Sequence, residues 1–142
     1  MQIENIMSAW QLIPLYFSQA AVAASQTNVQ LYTSEVATPL VLLNTGYMIP
    51  WEGKILAISA TLDTAATAGS LTVGPTIGGT EASDPTLSFA TETELSDTAP
   101  RDDAVFPANS VIGAEITSSA TWNGTTSDLS VIVWVAVKVS GT

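Results

Sequence analysis

The sequence contains no cysteine and no histidine. Without cysteine the chain has no disulfide and no thiolate, and without histidine it lacks the usual general base and the commonest metal ligand. These two absences exclude cysteine–histidine and serine–histidine catalysis as well as the usual zinc sites. The sequence does not indicate the redox compartment, because a protein without cysteine has no thiol that the compartment could oxidise or reduce.

Positive charge is scarce, since Lys54, Arg101 and Lys138 are the only cations against 13 acidic residues, which gives a net charge of −10. Three scattered cations cannot neutralise a row of phosphates, so the composition argues against nucleic-acid binding and against an anionic membrane surface. The sequence also has no apolar run of the ~18 residues that a membrane-spanning helix needs. We therefore expect neither a nucleic acid nor a membrane among the partners.

Charged residues make up only 11% of the chain, although 46% of it is hydrophobic. Soluble domains usually carry about 25% charged residues, so much of this surface must consist of Ser, Thr, Asn, Gln and Ala. Such a surface suits a protein that lies against neighbouring subunits, or one that must not attract other molecules. The length of 142 residues predicts one domain with a sizeable core.

The stretch Gly53–Gly79 is the centre of the predicted fold. Two alternating patterns flank a small polar turn at Asp63–Ser70, and the second of them ends at the pair Gly78-Gly79. Such a pattern predicts two antiparallel strands that pair with each other and nucleate a sheet. Because side chains alternate along a strand, we expect Ile55, Ala57 and Ser59 on one face and Leu56, Ile58 and Ala60 on the other.

Further strands are predicted from short apolar or alternating runs separated by Gly, Pro, Asn and Thr. The count is about eight antiparallel strands, with a long polar loop at Thr91–Ala104 and no convincing helix in residues 12–142. We therefore predict an all-β fold, a single jelly-roll-like β-sandwich over residues 12–142. Outside the central stretch, the predicted strands are Leu12–Phe17, Val29–Thr33, Thr38–Leu43, Thr86–Ala90, Ser110–Ser118 and Asp128–Val139.

The first 11 residues stand apart from this domain as an N-terminal arm. Its apolar residues recur at helical spacing, but the segment is too short to be a stable helix alone. We expect it to dock on a neighbouring subunit, and the alternatives are packing on its own domain or a frayed end. The predicted partner-binding residues of the arm are Ile3, Ile6, Met7 and Trp10.

Two further regions are candidates for contacts with other chains. The aromatic loop Gly46–Gly53 contains Tyr47 and Trp51, which either cover an open end of the sandwich or form a contact surface. The last predicted strand is apolar on both faces, so it is either central in the sandwich or covered by a partner. We assign Tyr47 and Trp51 to partner binding and Trp134 to an oligomer interface.

Carboxylates are the only catalytic material present in quantity, at Glu92 and Glu94 and at Asp102 and Asp103. A glycosidase needs two carboxyl groups with separated pKa values across a cleft, and we instead interpret these as solvated loop charges. Ca²⁺ binding by the acidic loop and sugar stacking on Trp51 or Trp122 are the weaker alternatives to solvent exposure and to core packing. We predict no enzyme activity and no cofactor.

From Ile49 onward the chain resembles tailed-bacteriophage virion proteins with a jelly-roll domain. The similarity rests on the run IPWEGKILAISATLDTAATAGSLTVGPTIGGT and on the later run FPANSVIGAEITSSATWNGTTSDLSVIVWVAV. Within that group it resembles capsid decoration, or cement, proteins. This resemblance implies a homo-oligomer, a trimer, on the outer capsid surface that clamps neighbouring subunits of the major capsid protein. The alternative function is a receptor-binding or fibre-tip domain that recognises a host glycan.

Overall fold

The computed structural model describes residues 9–33 and 46–139. These residues form 11 strand segments and no helix, which confirms the all-β prediction. The segments are β1 (Ala9–Gln19), β2 (Val29–Gln30), β3 (Tyr47–Ile49), β4 (Gly53–Leu62), β5 (Leu71–Ile77), β6 (Thr80–Glu81), β7 (Leu87–Phe89), β8 (Glu94–Thr98), β9 (Val105–Phe106), β10 (Ser110–Ser118) and β11 (Leu129–Val139).

The segments form two antiparallel sheets. In the first sheet the order is β1-β11-β4-β8, and β9 lies on the same edge of β4 as β8. In the second sheet the order is β2-β10-β5-β6, with β3 beside β2 on one edge of β10 and β7 beside β6 on one edge of β5. Three interrupted strands, β2/β3, β6/β7 and β8/β9, therefore reduce the 11 segments to eight strand positions.

The pairing is nested from the ends of the chain toward its middle. The first strand pairs with the last, β2/β3 pairs with β10, β4 pairs with β8/β9, and β5 pairs with β6/β7. A chain that folds into such a series of nested antiparallel pairs, wound into two sheets, is a jelly roll. The predicted jelly-roll-like sandwich of about eight strands is thus confirmed.

The core lies between the inner faces of the two sheets. In β11 the odd-numbered residues from Leu129 to Val137 face the core and are at most 2% exposed. In β10 the inner residues Ile112, Ala114 and Ile116 are fully buried opposite them. Each buried aliphatic side chain contributes about 1.5–3 kcal/mol of hydrophobic stabilisation, so the paired inner faces provide most of the driving force for folding.

The predicted pairing of the two central strands is wrong. Both strands exist, as β4 and β5, but β4 pairs with β11, β8 and β9 in the first sheet, whereas β5 pairs with β10, β6 and β7 in the second. The turn between them crosses from one sheet to the other. A short polar turn between two alternating segments has the same local pattern in a hairpin and in a sheet-to-sheet crossover, so only the long-range partners decide between them.

The predicted faces of β4 are confirmed from Ala57 to Ala60 but wrong for Ile55, because the strand contains a β-bulge. Ala57 pairs with Trp134 and Ile55 pairs with Val135, so Leu56 is an additional residue with no partner in β11. A bulge shifts the alternation by one residue. As a result Ile55 and Ile58 are both buried, at 2% and 0% exposed, although they were expected on opposite faces.

Three further differences concern segment boundaries. Strand β1 begins at Ala9, so Trp10 and Gln11, expected in the arm, belong to the sheet. Strand β3 lies in the expected aromatic loop, and β8 lies in the expected polar loop Thr91–Ala104. The predicted strand Thr38–Leu43 lies outside the described residues.

Candidate interaction surface

The outer surface of the β1–β11 pair is apolar along most of its length. In β1 the even-numbered residues point outward, and Trp10, Leu12 and Tyr16 are 53%, 56% and 56% exposed. The β11 partners of Leu12, Pro14 and Tyr16 are Ala136, Trp134 and Ile132, which continue the apolar surface across the pair. We define the apolar face as Trp10, Leu12, Pro14, Tyr16, Ile132, Trp134 and Ala136.

The apolar face exists because both strands are apolar on both sides. The odd-numbered residues of β1, such as Leu15 and Phe17, fill the core, and the even-numbered ones are equally apolar. Pro14 fits here because β1 is at the edge of the described sheet. The neighbouring even residue Ser18 exchanges backbone hydrogen bonds with Tyr32 on the side away from β11. The missing N–H of proline therefore faces that edge, where a proline is tolerated.

Charged residues border one end of the apolar face. The Lys54 ammonium lies 5.1 Å from the centroid of the Trp10 ring and 3.6 Å from the Asp102 carboxylate. Lys138, the partner of Trp10 in β11, lies 3.7 Å from Glu52. Exposed ion pairs contribute about 0–1 kcal/mol, and a cation–π contact at an exposed site contributes about 0.5–1 kcal/mol. These contacts therefore add little to the stability of the fold, and the main effect of Lys54 is to orient the Trp10 ring.

The opposite end of the first sheet is polar. A shallow depression of about 400 Å³ lies over β4, β8 and β11, and hydroxyl groups of Ser59, Ser96 and Ser130 contribute to its lining. Glu94 is its one carboxylate, and Ile132 forms its border with the apolar face. Trp134 extends toward this region, because its indole N–H donates to Ser59 Oγ at 3.3 Å. A single carboxylate among serines forms neither a nucleophile–base pair nor an acid–base pair.

No family model matches this chain, and no curated protein matches it. Among solved structures, the chain is similar to one from sacbrood virus of honeybee in expansion state II, with 11% identity and a TM-score of 0.40, over 100% of this chain and 90% of that one. A second sacbrood virus chain gives 11% identity and a TM-score of 0.40, over 98% of this chain and 69% of that one. A Desmodium yellow mottle tymovirus chain gives 12% identity and a TM-score of 0.32, over 94% and 84%. Similarities this weak carry no functional argument.

The predicted contact residues of the arm divide into two groups. Ile3, Ile6 and Met7 lie outside the described residues. Trp10 lies at the end of the apolar face, with half of its surface exposed. Trp134, predicted at an oligomer interface, lies at the centre of the same face and is half-buried there. Strand register therefore brings together Trp10 and Trp134, which the sequence had assigned to separate regions.

Tyr47 and Trp51 do not belong to the apolar face. The Tyr47 ring packs edge-on against Phe17 with centroids 5.5 Å apart. Its hydroxyl donates to the backbone oxygens of Tyr16 at 3.2 Å and Thr33 at 3.1 Å. Tyr47 thus links the two sheets. Trp51 is half-buried and packs against the core. Their assignment to partner binding stays a prediction, and the described contacts of both residues are internal.

The structure shows the surroundings of Trp122, a candidate for sugar stacking, and of the loop carboxylates, the candidates for catalysis or Ca²⁺ binding. Trp122 is only 2% exposed and its indole N–H donates to the Val22 carbonyl at 3.1 Å, so its ring is not available to stack on a sugar. The Glu92 carboxylate accepts backbone N–H groups of Ala90 and Thr91, which hold its pKa below the usual value. Asp102 is paired with Lys54 and Arg101.

The described residues contain no group of three or more His, Cys, Asp or Glu side chains placed to hold a metal ion. None of their segments is a helix with the length and hydrophobicity to cross a membrane.

Sequence reasoning missed Leu12 and Tyr16, the two most exposed residues of the apolar face. The signal was present, because every residue from Leu12 to Phe17 is apolar or aromatic. A strand with two apolar faces was recognised at the end of the chain but not at its beginning. The shared surface of the two strands is visible only once β1 is known to pair with β11.

Proposed function

We propose that this chain is a structural virion protein, a capsid decoration or cement protein that binds the outer capsid surface and bridges neighbouring major capsid subunits. The observation that carries the proposal is the apolar face. Large contiguous apolar surfaces are rare on soluble proteins that act alone and mark sites of protein–protein contact. The proposed partners are the major capsid protein and further copies of this chain in a homotrimer.

Two further properties of the chain, the rigidity of the apolar face and the low number of charges, suit a surface that a partner covers. The apolar face is built on two long paired strands, so its side chains are held on a rigid support and lose little conformational freedom on binding. With few charges on the chain, little charged surface must lose its hydration when the face is covered. A jelly roll by itself supports many functions, so the argument rests on this face and not on the fold.

The binding test is co-sedimentation of the purified protein with empty capsids that lack it. The double variant Leu12→Thr, Tyr16→Thr keeps β-forming residues in β1 while removing two exposed apolar side chains from the face. We expect saturable binding of the wild type and at least a tenfold weaker apparent affinity for the double variant, since each lost buried aliphatic or aromatic contact removes about 1.5–3 kcal/mol. The matched control is Val111→Thr, an exposed apolar residue of β10 on the second sheet.

A second variant tests the arm separately. Because β1 begins at Ala9, deletion of residues 1–8 leaves the described strand complete. We expect this protein to fold and to bind capsids more weakly. Equal binding by the wild type, the double variant and the deletion variant would contradict the proposal. Binding of host glycans without capsid binding would support the receptor-binding alternative instead.

A further inference from the structure

A pair of glutamates lies on the outer side of the second sheet, away from the apolar face. Glu115, in the centre of β10, is only 5% exposed. Its cross-strand neighbour in β5 is Gly74, and its neighbour in β2 is Gln30, whose amide N–H donates to Glu115 Oε2 at 3.0 Å. The side chain of Glu81, from β6, extends over Gly74, the cross-strand partner of Glu115, so the two carboxyl groups lie on the same side of the sheet beside the same glycine.

Gly74 makes this arrangement possible. A Cβ atom added at Gly74 would lie 2.5 Å from Glu81 Oε1 and 3.0 Å from its Cγ and Cδ atoms. Any other residue at this position would occupy the space through which the Glu81 side chain passes. The gap left by glycine therefore lets a residue two strands away reach Glu115.

Two neighbouring carboxyl groups can bond to each other only when one of them holds a proton, because two ionised carboxylates have only acceptors and repel each other. Among the described residues no positive charge takes its place, since Lys54, Arg101 and Lys138 are all in ion pairs with Asp102 or Glu52. The described residues beside the pair in the sheet are uncharged. They are Gln30 from β2, Thr72, Gly74 and Thr76 from β5, and Gly113 and Thr117 from β10.

We propose that Glu115 and Glu81 share one proton, and that this proton fastens β6 to the edge of β5 and releases it when the pH rises. The edge segment is well placed to move. It follows the turn at Gly78-Gly79, both with positive φ, and β6 is an exposed two-residue segment at the sheet edge. The inference is independent of the proposed binding of capsids.

The direction of the pH effect follows from Glu115. Burial, followed by the hydrogen bond and the negative charge of Glu81, raises the pKa of Glu115 from 4.5 to about 7. The folded state therefore holds a proton that the unfolded state releases between these two values. Stability from this proton is fully present below the unfolded pKa and is lost as the pH rises through the folded one. The unfolding equilibrium constant should change on the order of 100-fold across this window.

The test compares wild type with Glu115→Gln, in which an amide replaces the protonated carboxyl group at every pH. Two readouts are measured between pH 4.5 and 8.5. These are the urea unfolding midpoint and the hydrogen-exchange protection of the Ala82 amide, which donates to the Pro75 carbonyl within the hairpin. As the pH rises, we expect the urea unfolding midpoint of the wild type to fall and the protection of its Ala82 amide to decrease. In Glu115→Gln we expect both quantities to stay the same.

A control variant makes the comparison specific. Glu94→Gln removes an exposed carboxylate of the first sheet and should follow the wild-type profile. Burial, followed by the negative charge of Asp97, also raises the pKa of Asp84, so the result is the difference between wild type and variant at each pH. If Glu115→Gln does not fold, Glu81→Gln replaces it, and in ¹³C-labelled wild-type protein the Glu115 carboxyl resonance should titrate near pH 7.

Two outcomes would overturn the proposal. One is an identical pH profile for wild type and for the folded Glu variants, combined with a Glu115 carboxyl resonance that titrates at the ordinary value. The other is a profile that changes when EDTA or Ca²⁺ is added to the wild type but not to Glu115→Gln, because a cation and not a proton would then hold the pair. A urea unfolding midpoint that falls with rising pH in the wild type and in Glu94→Gln, but not in Glu115→Gln, and that EDTA does not change, confirms the shared proton.

Discussion

Asp63 shows how one exposed carboxylate can hold the end of a strand. It follows β4, and its Oδ1 accepts a hydrogen bond from the Asp128 N–H at 2.8 Å and lies 2.9 Å from Ser127 Oγ. The hydrogen bond from the Asp128 N–H has the largest effect, and together these bonds hold the pKa of Asp63 below its usual value. The carboxylate thereby joins the end of β4 to the beginning of β11, at the point where the chain enters its last strand.

We predict that Asp63→Ala lowers the thermal unfolding temperature at pH 7. Because the pKa of Asp63 is lowered in the folded state, its stabilising effect is present above the unfolded pKa of about 3.8 and is lost as the pH falls through the folded value. The difference between wild type and variant should therefore shrink below about pH 4. Calorimetry from pH 2.5 to pH 7 measures it.

Asp63→Asn is the matched control for that experiment. The amide keeps an oxygen that can accept the Asp128 N–H, but it carries no charge and does not titrate. Its unfolding temperature should lie between those of the wild type and the alanine variant at pH 7. A difference between wild type and Asp63→Ala that stays constant down to pH 2.5 would contradict the assigned role of the carboxylate.

At the scale of the strands, β4 illustrates what the sequence could predict and what it could not. Alternation and turn residues located β4 and β5 to within about a residue. They did not reveal that the two strands lie in different sheets, because that choice depends on partners such as β11, more than 60 residues away in the chain. They also did not reveal the bulge at Leu56, because an inserted residue in an apolar run leaves no local mark.

Strand β8 was missed for a different reason. Its sequence, ELSDT, is polar apart from Leu95, and Glu, Ser and Asp are poor strand formers. It is a strand only because the edge of β4 provides hydrogen-bond partners. The candidate surface was found in part: the two-sided apolar character of β11 pointed to Trp134, whereas Leu12 and Tyr16 became candidates only through the pairing of β1 with β11.

The bulge predicts unequal effects of two single-residue deletions in β4. Deletion of Leu56 removes the unpaired residue and leaves Ile55 and Ile58 facing the core, at the loss of the hydrogen bond from the Ala99 N–H to the Leu56 carbonyl. We expect it to cost about 1–2 kcal/mol. Deletion of Ser59 moves one half of the strand to the opposite face, so we expect no cooperatively folded protein.

Urea unfolding followed by tryptophan fluorescence distinguishes the two deletions, with circular dichroism to report retained β structure. The deletions are neighbours in the same strand and remove residues of similar exposure, so each serves as the control for the other. Equal destabilisation by the two deletions would show that Leu56 is not an extra residue in the register.

At the scale of the whole molecule, the apolar face predicts self-association. If Trp134 and Leu12 contact another copy of the chain, sedimentation velocity at micromolar concentration should show a trimer. Trp134→Gln should shift the distribution toward monomer while the unfolding transition remains cooperative, because this side chain lies outside the core. Val111→Thr again provides the control on the other sheet. A wild type that sediments as a monomer at these concentrations would contradict the trimer.

The nesting of the strands has a consequence for how the protein is made. Residues 9–19 pair along their whole length with residues 129–139, and β11 also lies between β1 and β4. Strand β1 leaves the ribosome before β11 and must therefore wait for it, and until then β1 lacks the strand with which it pairs. A chain arrested before residue 129 would lack the strand that joins β1 to the rest of the sheet. Such an intermediate is prone to aggregation, so a nascent chain of this protein is a natural client for chaperones that hold polypeptides at the ribosome exit.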